Sequence, residues 1–226
     1  MTFSLWAGLL TGCDWVASQP NNPINAHLSD EDKALKFKFR GIRGGEKIIG
    51  ALEELSAVML YLPNGLTFAR GVFNVGASIS SYGGYADGDN LVVPKTLRYV
   101  RFSPDAKYKG DSRDPHPAYE GEPLTDVTVP VASRIPDDLL DDLRRDSKGG
   151  MRLKIRLMPD AILIGWDIER RPVSRYDDVN QRMTYGARVH TFVGGDFREA
   201  EVLNGIAVRK GWYIHPKTGQ KIETEF

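Results

Sequence analysis

The run Met151-Arg152-Leu153-Lys154-Ile155-Arg156-Leu157-Met158-Pro159-Asp160-Ala161-Ile162-Leu163-Ile164-Gly165-Trp166-Asp167-Ile168 decides the fold. Its first half alternates apolar and basic residues, the period-2 pattern of a strand with one buried face. Met158-Pro159-Asp160 is a turn, because proline presets φ there. Ala161 to Ile168 returns apolar through Trp166, so this strand is the more fully buried of the two. Strands joined so closely are antiparallel, since a parallel pair needs a long crossover.

The same signals recur outward. Upstream, Ala57–Leu62 and Leu66–Phe73 flank Pro63-Asn64-Gly65, a tight turn that makes a second hairpin. Leu91–Phe102 has strand character, with Leu97, Tyr99 and Arg101 on one face and Arg98, Val100 and Phe102 on the other. Val127–Val131 is a short strand. One clear helix lies near residues 136–147. Pro136, Asp137 and Asp138 open it, Leu139, Leu140 and Leu143 form its apolar stripe, and Arg144 and Arg145 close it before Gly149-Gly150. Later strands are expected at Met183–Val193, Ile206–Arg209, Trp212–His215 and Lys221–Glu223, with a short helix at Phe197–Leu203. Leu35–Arg40 alternates like a strand, and glycine-rich Gly41–Gly50 reads as a loop. The expected class is α+β, mainly antiparallel β, a hairpin-rich sheet or sandwich with one clear helix.

The chain has 226 residues, 41% hydrophobic and 27% charged, with zero formal net charge. That is ordinary for a globular protein and offers no general attraction for nucleic acid. The single cysteine excludes an internal disulfide. Cys13 closes Leu10-Thr11-Gly12-Cys13 after an apolar start, which has the form of a bacterial lipobox. Met1–Gly12 carries no Lys or Arg, so the expectation is a signal peptide at 1–12 shortened at its basic end. Residues 13–33 read as a flexible tether containing Gln19-Pro20-Asn21-Asn22-Pro23, and 34–226 as one β-rich domain. Cys13 is then the lipidation site, holding the domain at a membrane on the periplasmic side of the envelope; the plainer alternative is an apolar N-terminal segment packed on the domain with Cys13 a buried thiol.

No catalytic motif is complete. Gly76-Ala77-Ser78-Ile79-Ser80 has only the first half of a nucleophile elbow. Phosphate-binding glycine patterns are absent. Asp87-Gly88-Asp89-Asn90 lacks the remaining ligands of a calcium loop. The four histidines, His27, His116, His190 and His215, have no metal-ligand spacing. No catalytic residue, metal or cofactor is therefore assigned. Asp167 is a candidate perturbed acid, with a strand-edge pairing to Arg170 or Arg171 as the plainer reading. A hydrolase would need two of Ser78, His116, Asp167 and His190 to converge in space. Lys36, Lys38 and Arg40, and Arg152, Lys154 and Arg156, line one face of two expected strands. The plain expectation is a solvated face, and the functional one a surface for an acidic partner or lipid headgroups.

Val75–Asn90 is rich in small residues and has the composition of an antibody-like contact loop. Tyr82, Tyr85, Asp87 and Asp89 are its candidate partner-binding residues, and a structural glycine loop is the plainer reading of the same stretch.

Four features occur in one order: the lipobox; Gly71-Val72-Phe73-Asn74-Val75-Gly76 leading to Asp89; Val93-Pro94-Lys95-Thr96-Leu97; and the helix before Leu157-Met158-Pro159-Asp160 through Trp166. Over about residues 57 to 168 the chain resembles the domain-of-unknown-function family twenty-nine thirty-one of proteobacterial lipoproteins. Met158-Pro159-Asp160 lacks the glycines of that family's turn. Lipoproteins of this look neighbour type VI secretion toxins, especially phospholipases, and the resemblance implies an immunity protein that binds and neutralises one. The alternative is an envelope structural or ligand-binding lipoprotein without catalytic activity.

Overall fold

The computed structural model describes residues 29–42, 44–74, 79–81, 86–87, 90–91, 93–110, 118–145, 149–170, 175–184, 189–198, 202–203, 206–207 and 210–225. Cys13 and residues 1–28 lie outside them.

In chain order the described elements begin with α1 (Asp30–Lys38), β1 (Gly44–Ala51), β2 (Leu55–Tyr61), β3 (Thr67–Phe73), β4 (Ile79–Ser81), β5 (Ala86–Asp87) and β6 (Asn90–Leu91). There follow β7 (Thr96–Arg101), β8 (Tyr108–Lys109), β9 (Ala118–Tyr119), β10 (Thr125–Pro130), a 3-10 turn (Ala132–Arg134) and α2 (Asp137–Arg145). The rest is strand: β11 (Gly149–Met158), β12 (Ala161–Arg170), β13 (Arg175–Asp177), β14 (Arg182–Thr184), β15 (Val189–Gly195), β16 (Phe197–Arg198), β17 (Val202–Leu203), β18 (Ile206–Ala207), β19 (Lys210–Ile214) and β20 (Lys221–Glu225).

Two sheets carry the domain, a five-stranded one in the order β15-β12-β11-β1-β4 and a four-stranded one in the order β10-β7-β2-β3. This is the α+β, mainly antiparallel architecture that the hairpin signals predict. The decisive hairpin pairs Leu157 with Ile162 and Met158 with Ala161, leaving Pro159-Asp160 as a two-residue turn. The β2–β3 turn forms as expected, with Gly65 at φ 80° and the Leu66 N–H bonded to Asn64 Oδ1 at 3.1 Å.

The core lies on the inner faces. Met151, Leu153, Ile155 and Leu157 of β11 and Ile162, Ile164, Trp166 and Ile168 of β12 join Val58 and Leu60 of β2 and Leu97 and Tyr99 of β7. Leu139, Leu140 and Leu143 of α2 belong to the same core, so the leucine stripe read from the sequence faces where it should. The hairpin turn ties the sheets together. Tyr99 Oη donates to Met158 O at 2.9 Å, and Arg101 Nε and Thr125 Oγ1 donate to Pro159 O at 2.8 and 2.7 Å. Burial raises the Tyr99 pKa to about 12, against a smaller lowering by Arg101.

Four expectations are corrected. Leu35–Arg40 is not a strand, since helix α1 runs to Lys38. Ser29 Oγ accepts from Asp32 N, Asp30, Glu31 and Asp32 fill the first turn, and Lys36 and Lys38 the last. Leu35 and Phe39, four residues apart, turn inward while Phe37 points out, so the apparent alternation is a helical spacing. The boundary expected at 33/34 falls inside this helix. Gly41–Gly50 is largely strand β1, which pairs with β11 in parallel. The chain passes through the other sheet and α2 before β11 returns beside β1, which supplies the long crossover. Phe197–Leu203 carries β16 and β17 instead of a helix. β15 bulges just before, at Val193 between the Phe192 and Gly194 pairings, and the Asp196 N–H bonds Ile164 O at 2.8 Å, so Phe197 follows as strand.

Candidate functional site

The densest group of ionisable side chains sits on the second face of the β11–β12 hairpin. Residues 152, 154 and 156 share one face of β11, and register sets Arg152 opposite Asp167. The carboxylate accepts from Arg152 Nε at 2.6 Å and again from Arg152 Nη2, and Lys154 Nζ lies 3.2 Å away. Asp167 is 0% exposed, Arg152 5%, Lys154 4%, Arg156 7% and Glu169 5%. Arg156 donates to Ile155 O at 3.0 Å and lies 5.5 Å from the Phe197 ring centroid. Phe197 also covers Gly165, where a Cβ would meet its ring at 3.1 Å.

This overturns the solvated-face expectation, and with it a lipid-headgroup surface built on Arg152 and Lys154. The face is covered, and β11 is buried on both sides. Among the described residues Asp167 is partnered by Arg152 and Lys154; Arg171 and the Arg170 side chain, its expected partners, lie outside them. Burial is tolerable because each carboxylate oxygen receives charged donors, without which desolvation would dominate.

Asp196 is a second organising group. Its carboxylate takes both guanidinium nitrogens Nη1 and Nη2 of Arg134 and the Ile164 N–H at 2.9 Å, while its carbonyl accepts from Ile214 N at 2.7 Å. It thus joins β12, β19 and the 3-10 turn.

The outer face of the four-stranded sheet is different in kind. Register places Asp126, Val100, Met59 and Arg70 in one row and Thr128, Arg98 and Tyr61 in the next. Ala57, Met59, Val100 and Phe102 form a small second core there, with Tyr61 and Tyr119 packed against it. The β8–β9 hairpin covers one end, through Phe102–Tyr119 and Tyr108–Tyr119 ring contacts at 5.6 and 5.3 Å. Two arginines lie over tyrosines: Arg70 is 4.9 Å from the Tyr108 ring centroid and Arg98 is 5.9 Å from that of Tyr61. Arg98 also grips Asp126 with two bonds, 2.8 and 2.5 Å. That hydrogen bond holds the Asp126 pKa down and the Arg98 pKa up, while burial pushes Tyr61 up.

An open cleft of about 700 Å³ lies between α1 and α2, lined in part by Phe37, Lys38, Asp137 and Arg144. Its charges are engaged locally: Lys38 with Ile135 O and Asp137, Arg144 with Asp141 and the Lys38 and Arg40 carbonyls.

Of the residues singled out in the sequence, Cys13, His27, Ser78, Tyr82, Tyr85, Asp89 and His116 lie outside the described residues. Asp87 pairs in register with Asn90 in the small β5–β6 ladder. His190 pairs with Glu169, and Phe192 with Asp167, so the β15 backbone runs beside the acidic end of the charged layer. His215 Nδ1 accepts from Lys217 N and Thr218 N, both at 3.3 Å, and serves a turn. No group of three metal-ligating side chains exists among the described residues, and no described helix is long and apolar enough to cross a membrane. Arg70, Tyr61 and Tyr108 carry no mark in the sequence, because the register that brings them together joins distant segments.

The chain matches no family model, no curated protein and no solved structure. What the residues define is a two-sheet protein with an internal ion-pair layer and an arginine–tyrosine outer face.

Proposed function

We propose that this is a non-catalytic binding protein, lipid-anchored through Cys13 on the periplasmic side of the envelope. There it neutralises a secreted toxin, a phospholipase delivered by a type VI secretion system. The single observation that carries the non-catalytic part is the use of Asp167. The acid most suited by sequence to chemistry is fully buried and bonded to Arg152 and Lys154, so it holds strands together and does not face a substrate. The Cys13 lipobox and the resemblance to type VI-associated lipoproteins support the location and the partner. A rigid sheet scaffold presenting side chains at its surface suits inhibition by shape complementarity.

The test is direct. The reading predicts a phospholipase gene beside this one; the full-length chain in detergent micelles is titrated against that enzyme, and lipid hydrolysis is followed. Nanomolar binding with loss of hydrolysis is expected. Unchanged hydrolysis at a tenfold excess of the chain would remove the proposal.

A further inference from the structure

We infer that the outer face of the four-stranded sheet is the docking surface, and that it takes an acidic protein segment whose carboxylate pairs with Arg70. The inference rests on the binding-protein reading above and adds the surface and the partner's chemistry.

Three observations converge. First, the face is made of the residue types that dominate binding energy at interfaces, arginine and tyrosine. Arg70 lies over Tyr108, Arg98 over Tyr61, and buried Met59 and Val100 continue the row of Arg70 beside that of Arg98 and Tyr61. Second, it is accessible. Arg70 is exposed, Val72 two residues along β3 is 55% exposed, and Tyr108 is 38% exposed. Third, its charges are unequal. Arg98 is matched by Asp126 and Lys109 by Glu120, whereas Arg70 has no carboxylate partner among the described residues and makes only its ring contact. A guanidinium already placed over a ring, 4.9 Å from its centroid, has less freedom to lose on binding, and its fork matches a carboxylate. β3 is the last strand of its sheet, but Gly71 at φ 125° twists the backbone out of regular extension. Backbone strand addition is therefore disfavoured, and recognition runs through side chains.

Two arms separate this inference from the reading it rests on. In the first, the adjacent-gene phospholipase is titrated with the wild-type chain and with Arg70→Glu, Arg70→Lys and, as a remote control, Lys33→Glu. Arg70→Glu is expected to weaken binding at least about 30-fold, Arg70→Lys less, and Lys33→Glu by under about twofold. Circular dichroism confirms that each variant folds. In the second arm, random displayed peptides are selected on the wild-type chain and counter-selected on Arg70→Glu. Enrichment of Asp- or Glu-containing sequences that no longer bind Arg70→Glu supports the surface even if the phospholipase does not bind. Wild-type affinity of Arg70→Glu for the phospholipase overturns the surface and leaves the binding reading standing. Peptides without acids, or equal retention by both chains, overturn it. So does Arg70-dependent binding to phosphatidylglycerol vesicles without any acidic-peptide selection, which would make the face a lipid contact.

Discussion

Asp167→Asn removes the charge at the centre of the buried layer while keeping the side chain's size. In the native protein the carboxylate receives two bonds from Arg152 and lies 3.2 Å from Lys154 Nζ. At an effective dielectric of about 20, a charge pair at that separation is worth roughly 5 kcal/mol before desolvation. The substitution keeps the desolvation of both cations and discards their counter-charge. Breaking a buried pair from one side typically costs about 3–5 kcal/mol. Whole-domain stability is only about 5–15 kcal/mol, so the folded-to-unfolded ratio falls by roughly two to four orders of magnitude. Urea unfolding followed by tryptophan fluorescence measures this, because Trp166 is buried next to Asp167. Arg152→Met combined with Asp167→Leu should cost less than Asp167→Leu alone, since the pair is then removed from both sides. An Asp167→Asn stability within about 0.5 kcal/mol of wild type, against the 3–5 expected of a buried pair, would refute the reasoning.

Other consequences follow from the ties between elements. Tyr99→Phe should lower stability by about 1 kcal/mol through loss of the bond to Met158 O. The native Tyr99 pKa of about 12 lies above its unfolded value near 10, so its contribution is complete below pH 10 and lost as pH rises through 12. Alkaline unfolding between those values should be shallower in Tyr99→Phe. Asp196→Ala removes the acceptor of Ile164 N–H and the partner of Arg134, and should cost about 1–3 kcal/mol by thermal unfolding. Gly195→Ala is expected to be at least as harmful. Gly195 has φ 113°, and a Cβ there would lie 2.5 Å from Ile164 O, so reduced yield and melting temperature are the readout. Asp126 has a pKa held below its usual value by Arg98, so the pair's contribution is present above pH 4 and fades as pH falls through the native pKa. Binding through the outer face should be tested on both sides of that limit.

Hairpins and α2 were legible because their signals are local. A proline–asparagine–glycine turn and a leucine stripe between an acidic start and a basic end need no distant partner. The charged layer was not legible for the opposite reason. Arg152, Lys154 and Arg156 alternate with apolar residues, the same pattern a solvated strand face shows. Only Asp167, fifteen residues on and directly opposite Arg152 in the folded hairpin, makes burial possible. Leu35, Phe37 and Phe39 misled in the same way, since three alternating apolar residues fit either period when the cap at Ser29 is overlooked. The outer face depends on β2, β3, β7 and β10 coming into register, and the composition of any one of them gives no sign of it.

On the proposed reading the surface acts in recognition, and a lipid at Cys13 sets where that surface works. The most direct measurement is survival in mixed culture with sister cells that deliver the phospholipase. It compares cells lacking the gene, cells with it restored, and cells carrying Cys13→Ala. The account predicts that the deleted cells lyse, the restored cells survive, and Cys13→Ala cells, without acyl chains or membrane fraction, are protected poorly. Equal survival of all three would contradict it.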